Sequence, residues 1–152
     1  MNFFTIVLLL SLAVSQNTCS RPIRAKRAIW DLCRWISCVI PDRLCWDFNN
    51  YGCWCGFGGN GVPMDDVDAC CKQHDLCYRR ANRDNSCLLR WLQSYTFSCS
   101  SKSCADENSL CSGILCECDK QAAYCFANAT YPAEKPSCSP TTPPTLRNDS
   151  LS

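Results

Sequence analysis

The chain is poor in several things that would point to common functions. Its 15 Lys and Arg against 14 Asp and Glu leave a formal net charge of +1, too near neutral for a nucleic-acid binder whose affinity rests on phosphate neutralisation. One histidine in 152 residues argues against a zinc centre built from Cys and His. A GxSxG nucleophile elbow is missing, which removes the acyl-enzyme hydrolases of that design. Beyond the amino-terminal stretch no segment is apolar enough to span a bilayer. With 8 Pro, 6 Gly and 47% hydrophobic residues, the chain is neither collagen-like nor disordered as a whole.

What it has in excess is cysteine. Seventeen in 152 residues, about 11%, is the composition of a disulfide-stapled secreted scaffold of one domain. The apolar run FFTIVLLLSLAV (Phe3 to Val14), with Ala13 and Ser15 as small residues near its end, reads as a signal peptide over 1–15. Twelve helical residues span roughly 18 Å, short of the ~30 Å hydrocarbon core, so the run does not read as a membrane anchor. The segment QNTCSRPIRAKR (16–27) holds Arg21, Arg24, Lys26 and Arg27 with no acidic residue and reads as a basic propeptide. Its RAKR end has the pattern of a proprotein-convertase site, so a processing protease is an expected partner and Ala28 the expected new amino terminus. Cutting there leaves 11 basic and 14 acidic residues and removes Cys19, so that 16 cysteines remain, a number that can pair completely. The domain is expected over 28–138, and the polar, Pro/Thr-rich stretch 139–152 as a disordered tail.

Within 28–138, Ile29, Leu32, Cys33, Ile36 and Ile40 fall at helical spacing with Asp31, Arg34 and Ser37 elsewhere, predicting an amphipathic first helix that Pro41 ends. Five of the six glycines lie between Asn49 and Pro63, which predicts a loop that visits positive φ or approaches something closely. Met64 to Ala81 opens with carboxylates and closes with Arg79 and Arg80, as the helix dipole favours. Ser94 to Cys104 reads as a short hairpin around Ser-Ser-Lys. Asp106 to Asn128 carries Cys111, Leu115, Cys118, Ala122 and Cys125 at three-to-four spacing, a second long helix. The fold class is therefore mainly α and disulfide-rich: two long disulfide-linked helices, an amino-terminal amphipathic helix, a glycine loop and a small two-stranded wing.

His74 stands in CCKQHDLC, on one face with Cys70 and Cys77, and that face is the buried one because bridged cysteines meet partners inside. Asp75 is turned by about 100° and can reach the glycine loop. A buried imidazole needs a hydrogen-bonding partner, and Asp119, next to Cys118, is the candidate. A lone histidine is ordinarily a satisfied core or surface residue; the glycine loop changes that reading. A hard cation such as Ca²⁺ takes six to eight oxygens, and a tight loop can supply carbonyls that one carboxylate completes. Asp75 with the carbonyls of Trp54, Gly56 and Gly58 would make such a site.

YGCWCGFGG followed by CCKQHDLCY resembles secreted phospholipase A2 of the pancreatic and elapid-venom type, from about Ala28 to Cys125. The resemblance implies an antiparallel pair of long helices and a Ca²⁺ cofactor on Trp54, Gly56, Gly58 and Asp75. It also implies His74 as general base on a water, Asp119 as its orienter, and Tyr78 and Tyr95 as supporting hydrogen-bond donors. A neutral imidazole can take a proton from water near pH 7, and a cation stabilises the oxyanion of the attacked ester. The family pairing joins Cys38 with Cys99, Cys55 with Cys71, Cys70 with Cys125, Cys77 with Cys118, Cys87 with Cys111, Cys104 with Cys116, and Cys53 with Cys138. Cys33 and Cys45 lie outside that pattern and are expected to form an eighth bridge.

The implied partner is a phospholipid membrane or micelle surface. Ile29, Leu32 and Ile36, with Phe48, are the expected wall of the substrate slot, and Trp30 the membrane-facing anchor. Trp46 and Trp91 fit either lip or core. With the processed chain near −3, docking should rest on aromatic insertion more than on charge. In the family the freed amino terminus joins a buried network, so the propeptide is expected to hold a zymogen; Asp31 stands there in place of the usual glutamine. Asn128 and Asn148 lie in glycosylation sequons. An alternative class is a family member that has lost catalysis and acts by binding a receptor or membrane, a change that ordinarily replaces the histidine or the metal aspartate. Both are present here.

Overall fold

The computed structural model describes residues 27–88 and 92–138. The leader, most of the propeptide, the tail, Trp91 and Asn148 lie outside the described residues. Among the described residues three helices carry the fold: α1 (Arg27–Val39), α2 (Asp66–Asn85) and α3 (Leu110–Asn128). A 3₁₀ turn, Cys45–Phe48, follows α1, and strands β1 (Phe97–Ser98) and β2 (Ser103–Cys104) form an antiparallel ribbon pairing Phe97 with Cys104 and Ser98 with Ser103. No described helix is long and apolar enough to cross a membrane.

Bridges Cys70–Cys125 and Cys77–Cys118 tie α2 to α3. As the number rises by seven on one helix it falls by seven on the other, so the helices run antiparallel and are stapled at two levels about 10.5 Å apart. Six further bridges join Cys33–Cys45, Cys38–Cys99, Cys53–Cys138, Cys55–Cys71, Cys87–Cys111 and Cys104–Cys116. All sixteen cysteines of the 28–138 segment are thus paired, Cys33 with Cys45 included. The apolar core beneath is small: Trp35 stacks on Phe97 and Phe48 on Phe126, each pair with centroids 4.2 Å apart, around Ile36, Val67, Leu115 and Ala123. Disulfides supply the chain constraint that so small a core cannot.

Several boundaries shift from the sequence reading, each for a local reason. α2 begins at Asp66 because Asp65 is its N-cap, accepting the Asp68 amide at 3.0 Å. It ends at Asn85, with Ser86 in the left-handed region as C-cap, so Arg79 and Arg80 are interior and Arg83 is the basic residue of the last turn. α3 starts at Leu110 behind the Ser109 cap, which accepts from Ser112, rather than at Asp106. In α1, Trp35 is fully buried although it lies off the stripe drawn from the sequence. Asp31, also off that stripe but expected from the resemblance in a buried network, is buried as well, with Ser94 and Arg34 as partners at 3.1 and 3.3 Å.

Candidate functional site

Two faces of α2 make the site. Cys70, His74 and Cys77 recur at i, i+4 and i+7 and face α3; Asp68, Lys72, Asp75 and Arg79 recur at three-to-four spacing and form a second stripe, on which Asp75 is turned about 100° from His74. The first stripe carries His74, which meets Asp119 of α3. His74 Nε2 lies 2.6 Å from Asp119 Oδ1, with the imidazole 17% exposed and the carboxylate fully buried. Tyr78 donates to the same oxygen at 2.9 Å and Tyr95 to Oδ2 at 2.5 Å. Three donors on two oxygens fix the carboxylate, and the carboxylate fixes Nε2 as the protonated nitrogen. Nδ1 is thereby left as the ring's basic nitrogen. Burial first, then the Asp119 charge and the hydrogen bond to it, holds the Tyr95 phenol far above its ordinary value, so it stays a donor.

Asp31 extends this network to α1. Its Oδ2 accepts the Ser94 hydroxyl, and Ser94 directly precedes Tyr95. Burial raises the Asp31 pKa, against the lowering effect of Ser94 and Arg34.

The second stripe receives the glycine loop. The carboxylate of Asp68, wholly buried, accepts the amides of Cys53 at 2.8 Å, Trp54 at 2.7 Å and Met64 at 2.9 Å. Gly52 runs against it so closely that a Cβ would stand 2.3 Å from its carboxyl carbon. Bridge Cys55–Cys71 adds a covalent tie, and the Arg79 guanidinium donates to the Gly59 carbonyl at 3.3 Å. The loop is therefore fastened to α2 on both sides of Asp75. Asp65 is held too, accepting the Tyr51 hydroxyl at 2.5 Å. Asp68, Asp65, Tyr51 and Arg79 were not singled out as site residues from the sequence; the run Asp65-Asp66-Val67-Asp68 read only as dipole-favoured carboxylates. Three aspartates in one turn beside a glycine loop was the available signal.

Among the described residues no cluster of three or more His, Cys, Asp or Glu side chains is placed to hold a metal. The expected cation ligands are a different kind of donor set, one carboxylate with backbone oxygens, and the loop fits it in three respects. The carbonyls of Trp54 and Gly56 accept no hydrogen bond among the described residues. A Cβ at Gly59 would sit 2.7 Å from the Trp54 carbonyl oxygen, so glycine is what keeps a side chain off that atom. Gly56 and Gly58 adopt φ of 143° and 79°, which only glycine takes readily.

Of the expected slot wall, Ile36 and Phe48 lie in the core, Leu32 is half-buried against it, and Ile29 is partly exposed. Trp30 is 53% and Trp46 57% exposed, and their rings meet edge to face at 6.2 Å. Leu44 and Phe57 are also exposed apolar residues, neither of them marked from the sequence. Asn128 is exposed at the end of α3, its amide nitrogen donating to the Tyr124 carbonyl at 2.8 Å.

A family model described as phospholipase A2 matches residues 29–136. A phospholipase A2 of the sheep Ovis aries is 44% identical over 111 residues, covering 68% of this chain and 90% of its own length. Acidic phospholipase A2 4 of the cobra Naja sagittifera is 46% identical over 98 residues, 63% of this chain and 77% of its own. A phospholipase A2 of Bos taurus is 43% identical over 115 residues, 71% and 79% respectively. The fold is a disulfide-stapled helical scaffold carrying a buried His–Asp pair. The chain belongs to the phospholipase A2 family.

Proposed function

We propose that the chain is a secreted, Ca²⁺-dependent phospholipase A2 that hydrolyses the sn-2 ester of glycerophospholipids at a lipid–water interface, releasing a fatty acid and a lysophospholipid. The observation that carries this reading is the His74–Asp119 pair on one face of α2, with Asp75 and the glycine loop on the other. His74 Nδ1 accepts a proton from water as the water oxygen bonds to the ester carbonyl carbon. Asp119, buried and held by Tyr78 and Tyr95, stabilises the imidazolium that results. The same proton then passes to the departing lysophospholipid oxygen as the ester C–O bond breaks, which returns His74 to its neutral form. No covalent intermediate on the protein is required. Asp75 and the carbonyls of Trp54, Gly56 and Gly58 would hold Ca²⁺, which when bound supplies positive charge to the carbonyl oxygen and the phosphate.

The exposed Trp30, Trp46 and Phe57 suit insertion among lipid headgroups, which supports tolerance of zwitterionic surfaces. Secretion follows from the leader, and zymogen release from the RAKR site. Fatty-acid release by protein cut after Arg27 tests the reading. Activity is expected to disappear in folded His74→Gln and Asp75→Lys variants. Wild-type protein that binds Ca²⁺ and vesicles yet releases no fatty acid would instead establish a binding-only member of the family.

A further inference from the structure

The stretch Trp54 to Gly59 has to present backbone oxygens, yet its middle has little to rest on. Gly56, Phe57 and Gly58 are exposed, and a Cβ at Gly58 would meet nothing within 4 Å. Its order must come from its ends. Trp54 is tied three ways: its amide donates to Asp68 at 2.7 Å, its indole nitrogen to the Gly61 carbonyl at 3.1 Å, and its ring lies under two cations. The Lys72 ammonium is 5.2 Å and the Arg79 guanidinium carbon 5.5 Å from the ring centroid, both inside cation–π range. Arg79 alone among these groups also holds the other end, donating to the Gly59 carbonyl at 3.3 Å. It does so from the helical turn following Asp75, four residues on and on the same face.

We infer that Arg79 is a positioning residue: it clamps both ends of the carbonyl-bearing loop to the helix that carries Asp75, and so raises the affinity of the site for a divalent cation. The inference rests on the proposed Ca²⁺ site. A loop ordered before the ion arrives loses less conformational freedom on capture than one the ion must itself order. The charge of Arg79 acts in the opposite sense, since a guanidinium near a cation site repels the cation. The two effects make opposite statements about what removal does, and that makes the role measurable.

The experiment is Ca²⁺ binding by isothermal titration calorimetry on the processed wild-type protein, Arg79→Met and Arg79→Lys, with amide hydrogen exchange of residues 53–61 followed in chelator. Arg79→Met keeps most of the aliphatic stem and drops both the charge and the donors. Its Kd is expected to rise about tenfold, roughly the loss of one charge-assisted hydrogen bond, with faster exchange of the loop amides. Arg79→Lys keeps the charge and one donor group and loses the planar contact; it is expected to fall between the two, a partial rescue. Because Arg79 is exposed, thermal midpoints in chelator should agree within a few degrees. Unchanged or tighter Ca²⁺ binding by Arg79→Met would overturn the clamp and leave Arg79 a neighbouring charge. Arg79→Lys binding no better than Arg79→Met would overturn it too. Absence of Ca²⁺ binding by the wild type would overturn the metal reading itself, a result distinct from either.

Discussion

The two faces of α2 solve one problem in different ways. Toward α3 the proposed chemistry is carried by side chains, His74 and Asp119, set on helices stapled by Cys70–Cys125 and Cys77–Cys118 and locked by two tyrosine hydroxyls. Toward the glycine loop the proposed chemistry is carried mostly by backbone oxygens, and side chains such as Asp68 and Arg79 only hold that backbone in place. A side-chain catalyst is lost by replacing one residue. A backbone site needs no particular side chain at the oxygens themselves, and fails through its glycines or its supports.

The sharpest break in this comparison is expected on the first face. His74→Gln should lower the hydrolysis rate by about 10³-fold or more, while leaving Ca²⁺ affinity within about threefold, measured by calorimetry. On the second face Asp68→Ala should act through stability, since three amides lose a buried acceptor together. A loss of about 3–5 kcal/mol is expected in denaturant unfolding, with Asp68→Asn intermediate because one amide oxygen remains.

Smaller effects refine the picture. Removing Cys33 and Cys45 together, as Ala, opens a bridge of sequence separation 12 and should cost about 2–3 kcal/mol by loop-closure entropy. Vesicle binding should weaken with it, because the bridge holds α1 and the following turn where Trp30 meets Trp46. Tyr95→Phe leaves Oδ2 of a buried carboxylate without its donor, at about 1–3 kcal/mol, and should exceed Tyr78→Phe, whose hydroxyl shares Oδ1 with His74.

The smallest effect is at Asp31, where burial raises the pKa. An acid that holds its proton more tightly folded than unfolded withdraws stability as pH rises through its titration. Asp31→Asn should therefore melt slightly higher than wild type near neutral pH, by about 3 °C at most. The difference should vanish once the pH falls below the ordinary carboxylate range, as thermal melts across pH would show.

How much of this was legible in the sequence follows the same division. Helical periodicity and the CCKQHDLC run located α1, α2, α3 and His74, because side-chain spacing on a helix is written directly in residue order. The Asp119 partner followed from the need of a buried imidazole. Of the loop's supports the sequence shows only a run of aspartates: Asp68 and Arg79 lie 14 and 20 residues from the loop atoms they hold, and nothing local distinguishes a carboxylate that caps a helix from one buried beneath a turn. For Asp31, periodicity alone sets the residue off the apolar stripe, while the family resemblance puts it in a buried network, and the buried carboxylate agrees with the second. Trp35 shows the converse, an aromatic off the expected stripe that is buried because Phe97 of the wing comes over to cover it.

The most direct test of the central claim is release of label from phosphatidylcholine vesicles carrying distinguishable acyl chains at sn-1 and sn-2, measured before chelation, after chelation and after Ca²⁺ is restored. The account expects sn-2 fatty acid alone, halted by chelator and recovered with the ion. Release that continues in chelator, or that draws equally on both positions, would contradict it.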